Sequence, residues 1–247
     1  MKFDGFLFFI ISLLILALVQ RLLQREIQII LMLLTKNPNL AIGIFSLLLL
    51  PGVFIHEVSH LIMAIILRVP VRKISLIPQV NKKGNIRLGY VETTKSDILR
   101  DSLIGLAPFI VGLFLLGYIG MTKLGFVNFI ETPDFQAIVD NLKNIPEAAD
   151  FGLWFYFAFA LSTTMLPSAS DRQSWKFLMI VVVTIMGLVL ISGFGDWMAQ
   201  NIFPFLNQWL LSISLILIIS ILIHFSIFFP ALIVRQLISK ITGLTVS

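Results

Sequence analysis

Apolar residues gather in long runs separated by short polar stretches. The runs are Phe6 to Gln20, Leu40 to Leu67, Ser96 to about Met121, Phe151 to Leu166, Trp175 to Gly193 and Leu206 to Val234. Helices of this kind match a hydrocarbon core about 30 Å thick, and the short first run crosses with Phe3 and the turn that follows it. The pattern therefore predicts an all-α polytopic membrane protein with about six transmembrane helices.

The intervening stretches predict smaller elements. Arg21 to Thr35 sets Arg21, Gln24, Arg25, Glu26 and Gln28 against Leu22, Leu23, Ile27, Ile30 and Leu31, as an interfacial helix does. Lys36-Asn37-Pro38-Asn39 then breaks it. After the second span, Val71 to Pro78 and Ile86 to Thr93 flank the turn signal Asn81-Lys82-Lys83-Gly84-Asn85. Ile86, Leu88 and Tyr90 alternate with Arg87 and Gly89, so a small β-hairpin at the membrane surface, about 71–93, is expected. Its edge offers β-augmentation to an unwound substrate segment, with Ile86, Leu88 and Tyr90 as the candidate substrate-binding side chains. Thr132-Pro133 opens an amphipathic surface helix to about residue 146, with Phe135, Ile138, Val139, Leu142 and Ile145 on one face.

Three regions follow from this layout: 1–39, the first span plus the interfacial helix; 40–175, spans two to four with the hairpin; and 176–247, a two-helix extension. Lys2 before an apolar core resembles a signal peptide, but only Gln20-Arg21 follows where a small-residue cleavage site would stand, so the helix is read as retained. Placing the N-terminus, the 68–100 loop, the 172–176 turn and the tail on one side collects 13 of the 18 Lys and Arg. That bias predicts cytoplasmic N- and C-termini in a plasma or inner membrane.

Composition supports the membrane reading and narrows the chemistry. Mean hydropathy is +0.99, with 58% hydrophobic and 13% charged residues, far from a soluble domain. The net charge of +5 arises in span-flanking loops and is explained by topology without nucleic acid. With no cysteine, thiolate metal sites are excluded, and any metal must be held by His, Asp or Glu.

Such ligands stand in the second run. Phe54-Ile55-His56-Glu57-Val58-Ser59-His60 holds two of the three histidines in the chain. On a helix His56 and His60 lie one turn apart on one face, able to share a metal ion, with Glu57 about 100° round the axis as a general base. Zinc bound by two imidazoles at roughly 2.0–2.1 Å with an open position is the chemistry that spacing serves. Ionisable groups at membrane depth cost several kcal/mol and mark function. Pro51-Gly52, one turn upstream, predicts a kink that opens space at the site. A catalytic zinc needs a third protein ligand, for which the candidates are Asp171, Asp196 and His224. Asp171 follows Pro167 at the end of the fourth span, on the same predicted side as the motif, and is favoured.

His56-Glu57-Val58-Ser59-His60 in a span, the hairpin-like loop, Gly105-Leu106-Ala107-Pro108 in the next span and Leu166-Pro167 before Asp171 together resemble the site-2 protease family of intramembrane zinc metalloproteases. The resemblance covers about residues 40–175. It implies one Zn2+ held by His56, His60 and Asp171, Glu57 as catalytic base, substrate contact by the loop after the motif, and a transmembrane protein substrate cleaved within the lipid bilayer. The departures are Ser162 or Thr163 where the family has Asn, and Asp171-Arg172 where it has Asp-Gly. The alternative class is a non-proteolytic metal-binding membrane protein, either a transporter or an inactive protease relative. A transporter predicts inverted repeats and paired interrupted helices, which the chain does not show convincingly.

Overall fold

The computed structural model describes residues 4–80, 86–125 and 150–243. Its elements are α1 (Asp4–Thr35), α2 (Pro38–Leu48), α3 (Leu50–Ile66), β1 (Val71–Ser75), β2 (Gln79–Val80), β3 (Ile86–Arg87), β4 (Tyr90–Thr93), α4 (Ile98–Tyr118), α5 (Phe151–Thr164), α6 (Trp175–Ile191), α7 (Gly195–Asn201) and α8 (Phe203–Thr242). A π-helical turn, Ile119–Lys123, extends α4. The amphipathic helix expected at 133–146 and the turn at 81–85 lie outside the described residues.

The protein is a helical membrane protein with a small β-hairpin. Among the described residues three helices, α1, α4 with its π-turn, and α8, are long and apolar enough to cross a membrane; counting each bent pair as one span raises this to five. The remaining apolar helix, α5, has 14 residues, about 21 Å at 1.5 Å per residue and short of the hydrocarbon thickness.

The polar interruption at Arg21 does not end α1, which runs for 32 residues. The reason is packing. Ser12, Leu16, Val19, Leu23, Glu26 and Leu33 are buried, a near-3.5-residue seam of the coiled-coil kind, and this seam lies along α8. Gly5 meets Asn207, the Phe6 ring packs tilted against Phe203, and Glu26 pairs with Arg235 at 3.1 Å. Both helices therefore run in the same direction. A parallel pair of spans leaves the start of α1 and the end of α8 at opposite ends, which corrects the expectation that both termini share one side.

The second apolar run is also not one straight span. The chain bends by 68° between α2 and α3, with Asn37 capping α2 through the amides of Asn39 and Leu40. Pro51 falls in the first turn of α3, where its missing N–H costs nothing. The expected kink thus lies at Leu49, just upstream of Pro51.

α3 and α5 then run side by side in a strict register. Tyr156 Oη donates to the Leu48 carbonyl, Gly52 abuts Ala160, and His56 meets Thr164. Gly52 allows this approach: a Cβ there would stand 2.2 Å from the Ala160 carbonyl oxygen. The hairpin follows α3 and folds back along it, with Gly89 against Val53 and Glu57; β1 is antiparallel to β4 from Ser75↔Tyr90 to Val71↔Thr93 around a bulge, and β2 is antiparallel to β3. α6 buries no residue, as befits a helix that is apolar all round and faces lipid.

Candidate metal centre

Three helices and one turn build the site, and helix-terminal and proline chemistry decides how. A helix leaves its last carbonyls without backbone donors, and a proline deprives the carbonyl four residues earlier of its donor. Thr164 ends α5, and the amide four residues on, that of Ser168, is turned to Asp171 Oδ2 at 2.7 Å. Ile104 precedes Pro108 by four residues inside α4. These two carbonyls accept from the histidines: His56 Nδ1 donates to Thr164 at 2.7 Å and His60 Nδ1 to Ile104 at 2.8 Å. A carbonyl only accepts, so each Nδ1 carries the proton and each Nε2 presents its lone pair.

The two lone pairs converge. His56 Nε2 and His60 Nε2 are 3.2 Å apart, and a carboxylate oxygen of Asp171 faces each, at 3.6 Å and 3.4 Å. A tetrahedral ion about 2.0–2.1 Å from each ligand holds any two ligand atoms about 3.3–3.4 Å apart. The separation of the two imidazole nitrogens is close to that value, and with one ligand atom taken from each residue the trio lies within 4.8 Å, so these residues could share one metal ion. Among the described residues this trio is the one cluster of three or more such side chains positioned to share a metal.

Asp171 reaches the site because the chain turns sharply after α5. Pro167 ends the helix and residues 169–174 form the turn, while Gly105 of α4 lies directly against the Asp171 backbone, where a Cβ would come within 2.1 Å of its carbonyl oxygen.

Glu57 is buried next to the trio and lines the same cavity of about 360 Å³. Gly89 lies over it: a Cβ on Gly89 would stand 3.0 Å from Glu57 Cγ and 3.1 Å from Oε1. Leu88, Gly89 and Val91 form the hairpin wall of this cavity. Tyr90 is instead buried to the side, with the Lys73 ammonium 5.6 Å from its ring. Ile86 lies in β3, paired through Val80 with β2. A second cavity of about 460 Å³ opens on the far side of His60 and Asp171, bounded by Lys95, Asp101 and Phe177.

Of the three candidate third ligands, only Asp171 joins the histidines. Asp196 is exposed in the first turn of α7. His224 is fully buried and bonded to Thr163 and Ser220. The carbonyls of Ile104 and Thr164 were not among the residues the sequence singled out. Pro108 was the available signal for Ile104, since it removes the one backbone donor that carbonyl would have. Comparison of the chain with protein-family models, with curated proteins and with solved structures finds no match.

Proposed function

We propose that the protein is an intramembrane zinc metalloprotease of the site-2 type, which hydrolyses a peptide bond of a membrane-protein substrate. The observation that carries the reading is the convergence of His56 Nε2, His60 Nε2 and a carboxylate oxygen of Asp171 within 4.8 Å of one another, with Glu57 on the same cavity wall. Zinc held by His56, His60 and Asp171 would supply a Lewis acid that polarises the scissile carbonyl.

The chain's own groups do the rest. Glu57 takes a proton from the attacking water and returns it to the leaving nitrogen. Leu88, Gly89 and Val91 offer a strand edge and apolar wall to an extended segment, holding the scissile bond beside Glu57. The carbonyls of Thr164 and Ile104 keep both imidazoles in the tautomer that ligates. Burial of Glu57 and His60 excludes bulk water and strengthens each of these interactions.

The test is Glu57→Gln, which keeps the shape of the side chain and removes the base. The variant is expected to retain zinc at the wild-type stoichiometry and to cut a transmembrane reporter at least about 100-fold more slowly. Cleavage at the wild-type rate would remove Glu57 from the mechanism. A wild type that holds zinc and cuts none of a panel of transmembrane reporters would favour a binding protein instead.

A further inference from the structure

The last turn of α5 is held by side chains from three other helices, and two of them, α1 and α8, contribute no ligand. The Thr163 carbonyl has no backbone donor, because Pro167 lies four residues on. Gln20 of α1 supplies one: its Nε2 donates to that carbonyl and lies 3.4 Å from the Ser162 carbonyl, with Gln24 Nε2 3.4 Å from Thr163 O as a second donor. From the other side His224 Nδ1 donates to the Ser220 carbonyl at 2.8 Å, which leaves Nε2 to accept from the Thr163 hydroxyl at 3.2 Å. Thr163 shares that hydroxyl with the Phe159 carbonyl of its own helix at 2.6 Å.

Gln20 is 6% exposed, Thr163 4%, and His224 and Ser162 are fully buried. Polar groups this deep in a membrane protein are expensive unless satisfied, and the next carbonyl along, that of Thr164, orients His56. A shift or fraying of this turn would rotate His56 Nε2 away from His60 and Asp171. Gln24 and Thr163 also line the cavity that holds Glu57, so the network reaches the wall of the site.

We propose that Gln20 and His224 are positioning residues of the metal centre: they clamp the last turn of α5 so that the Thr164 carbonyl holds His56 in ligating orientation. This rests on the metal reading of the trio. It extends the centre's dependence to the first and last described helices of the chain, which the motif itself does not touch.

The experiment uses the full chain in detergent or lipid nanodiscs with zinc alone and cobalt(II) alone as probes. Gln20→Leu and Thr163→Val remove the two arms of the clamp with little change in volume, and Ser12→Ala, whose hydroxyl bonds only within α1, is the control. Zinc affinity by chelator competition is expected to fall about 10-fold in Gln20→Leu and Thr163→Val, the lower end of the range for groups that orient a ligand. The visible bands of bound cobalt(II), which report ligand geometry, are expected to shift, and Ser12→Ala to match the wild type in both readouts. Wild-type affinity and cobalt spectra in both variants overturn the proposal, even if the metal-free protein melts earlier, since that would be a purely structural role. If Gln20→Leu does not fold, Thr163→Val decides. A wild type that binds neither zinc nor cobalt overturns the metal reading itself, a distinct result.

Discussion

Gly105→Ala tests the construction of the metal centre without touching a ligand. The added Cβ would stand 2.1 Å from the Asp171 carbonyl oxygen and 3.0 Å from its carbonyl carbon, where ordinary contact begins at 3.4 Å. The obstacle is backbone on both sides, so no rotamer relieves it, and α4 and the Asp171 turn must separate by about 1 Å. Either movement breaks the ligand triangle. Retreat of the turn lengthens the His60–Asp171 distance of 3.4 Å, and retreat of α4 takes the Ile104 carbonyl from His60. A misplacement of that size costs on the order of 100-fold, at the top of the range for groups that orient metal ligands, or about 2.7 kcal/mol. Zinc affinity by chelator competition, in the full chain in detergent, measures it directly. Gly43→Ala is the matched control, because nothing lies within 4 Å of its added Cβ and alanine inside α2 is worth about 0.5–1 kcal/mol in its favour. Wild-type zinc affinity in Gly105→Ala would refute the claim that close approach of α4 sets the position of Asp171.

Three further outcomes follow from the same geometry. Asp171→Asn keeps the shape and removes the charge, so the zinc content of purified protein is expected to fall to a small fraction of wild type; unchanged stoichiometry by metal analysis would place the third ligand elsewhere. Zinc affinity is expected to fall with acidification, because protons compete with the metal for its ligand atoms, and an affinity independent of pH would exclude histidine ligation. Arg235→Ala leaves the buried Glu26 carboxylate without its partner at 3.1 Å. Arg235 is itself 34% exposed, so the loss is expected near the low end for a broken buried pair, about 3 kcal/mol; adding Glu26→Gln should recover most of it in the thermal midpoint, and no recovery would argue against the pair.

Much of the site was legible in residue order because its chemistry is local. His56 and His60 share a face through helix periodicity alone, and Glu57 follows from the same geometry. The hairpin was legible too, since alternation and turn residues act over a few positions. Proline marked two of the freed carbonyls at fixed distance, Pro108 for Ile104 and Pro167 for Thr163. The continuity of α1 was not legible: Arg21 to Gln28 looks interfacial until Glu26 meets Arg235 and Gln20 meets the last turn of α5. Likewise Ile86, Leu88 and Tyr90 share one face of an ideal strand, yet Leu88 lines the cavity while Tyr90 turns to Lys73.

Residue order alone settled that this chain is a helical membrane protein with two histidines one turn apart on one of its apolar helices, because hydropathy and helical period are properties of neighbours in sequence. Tertiary structure chose Asp171 over Asp196 and His224, ran α1 parallel to α8, and gave each imidazole its carbonyl. Those outcomes depend on how closely helices approach at Gly52 and Gly105, and an interhelical distance is a property of two surfaces that no single stretch of sequence contains.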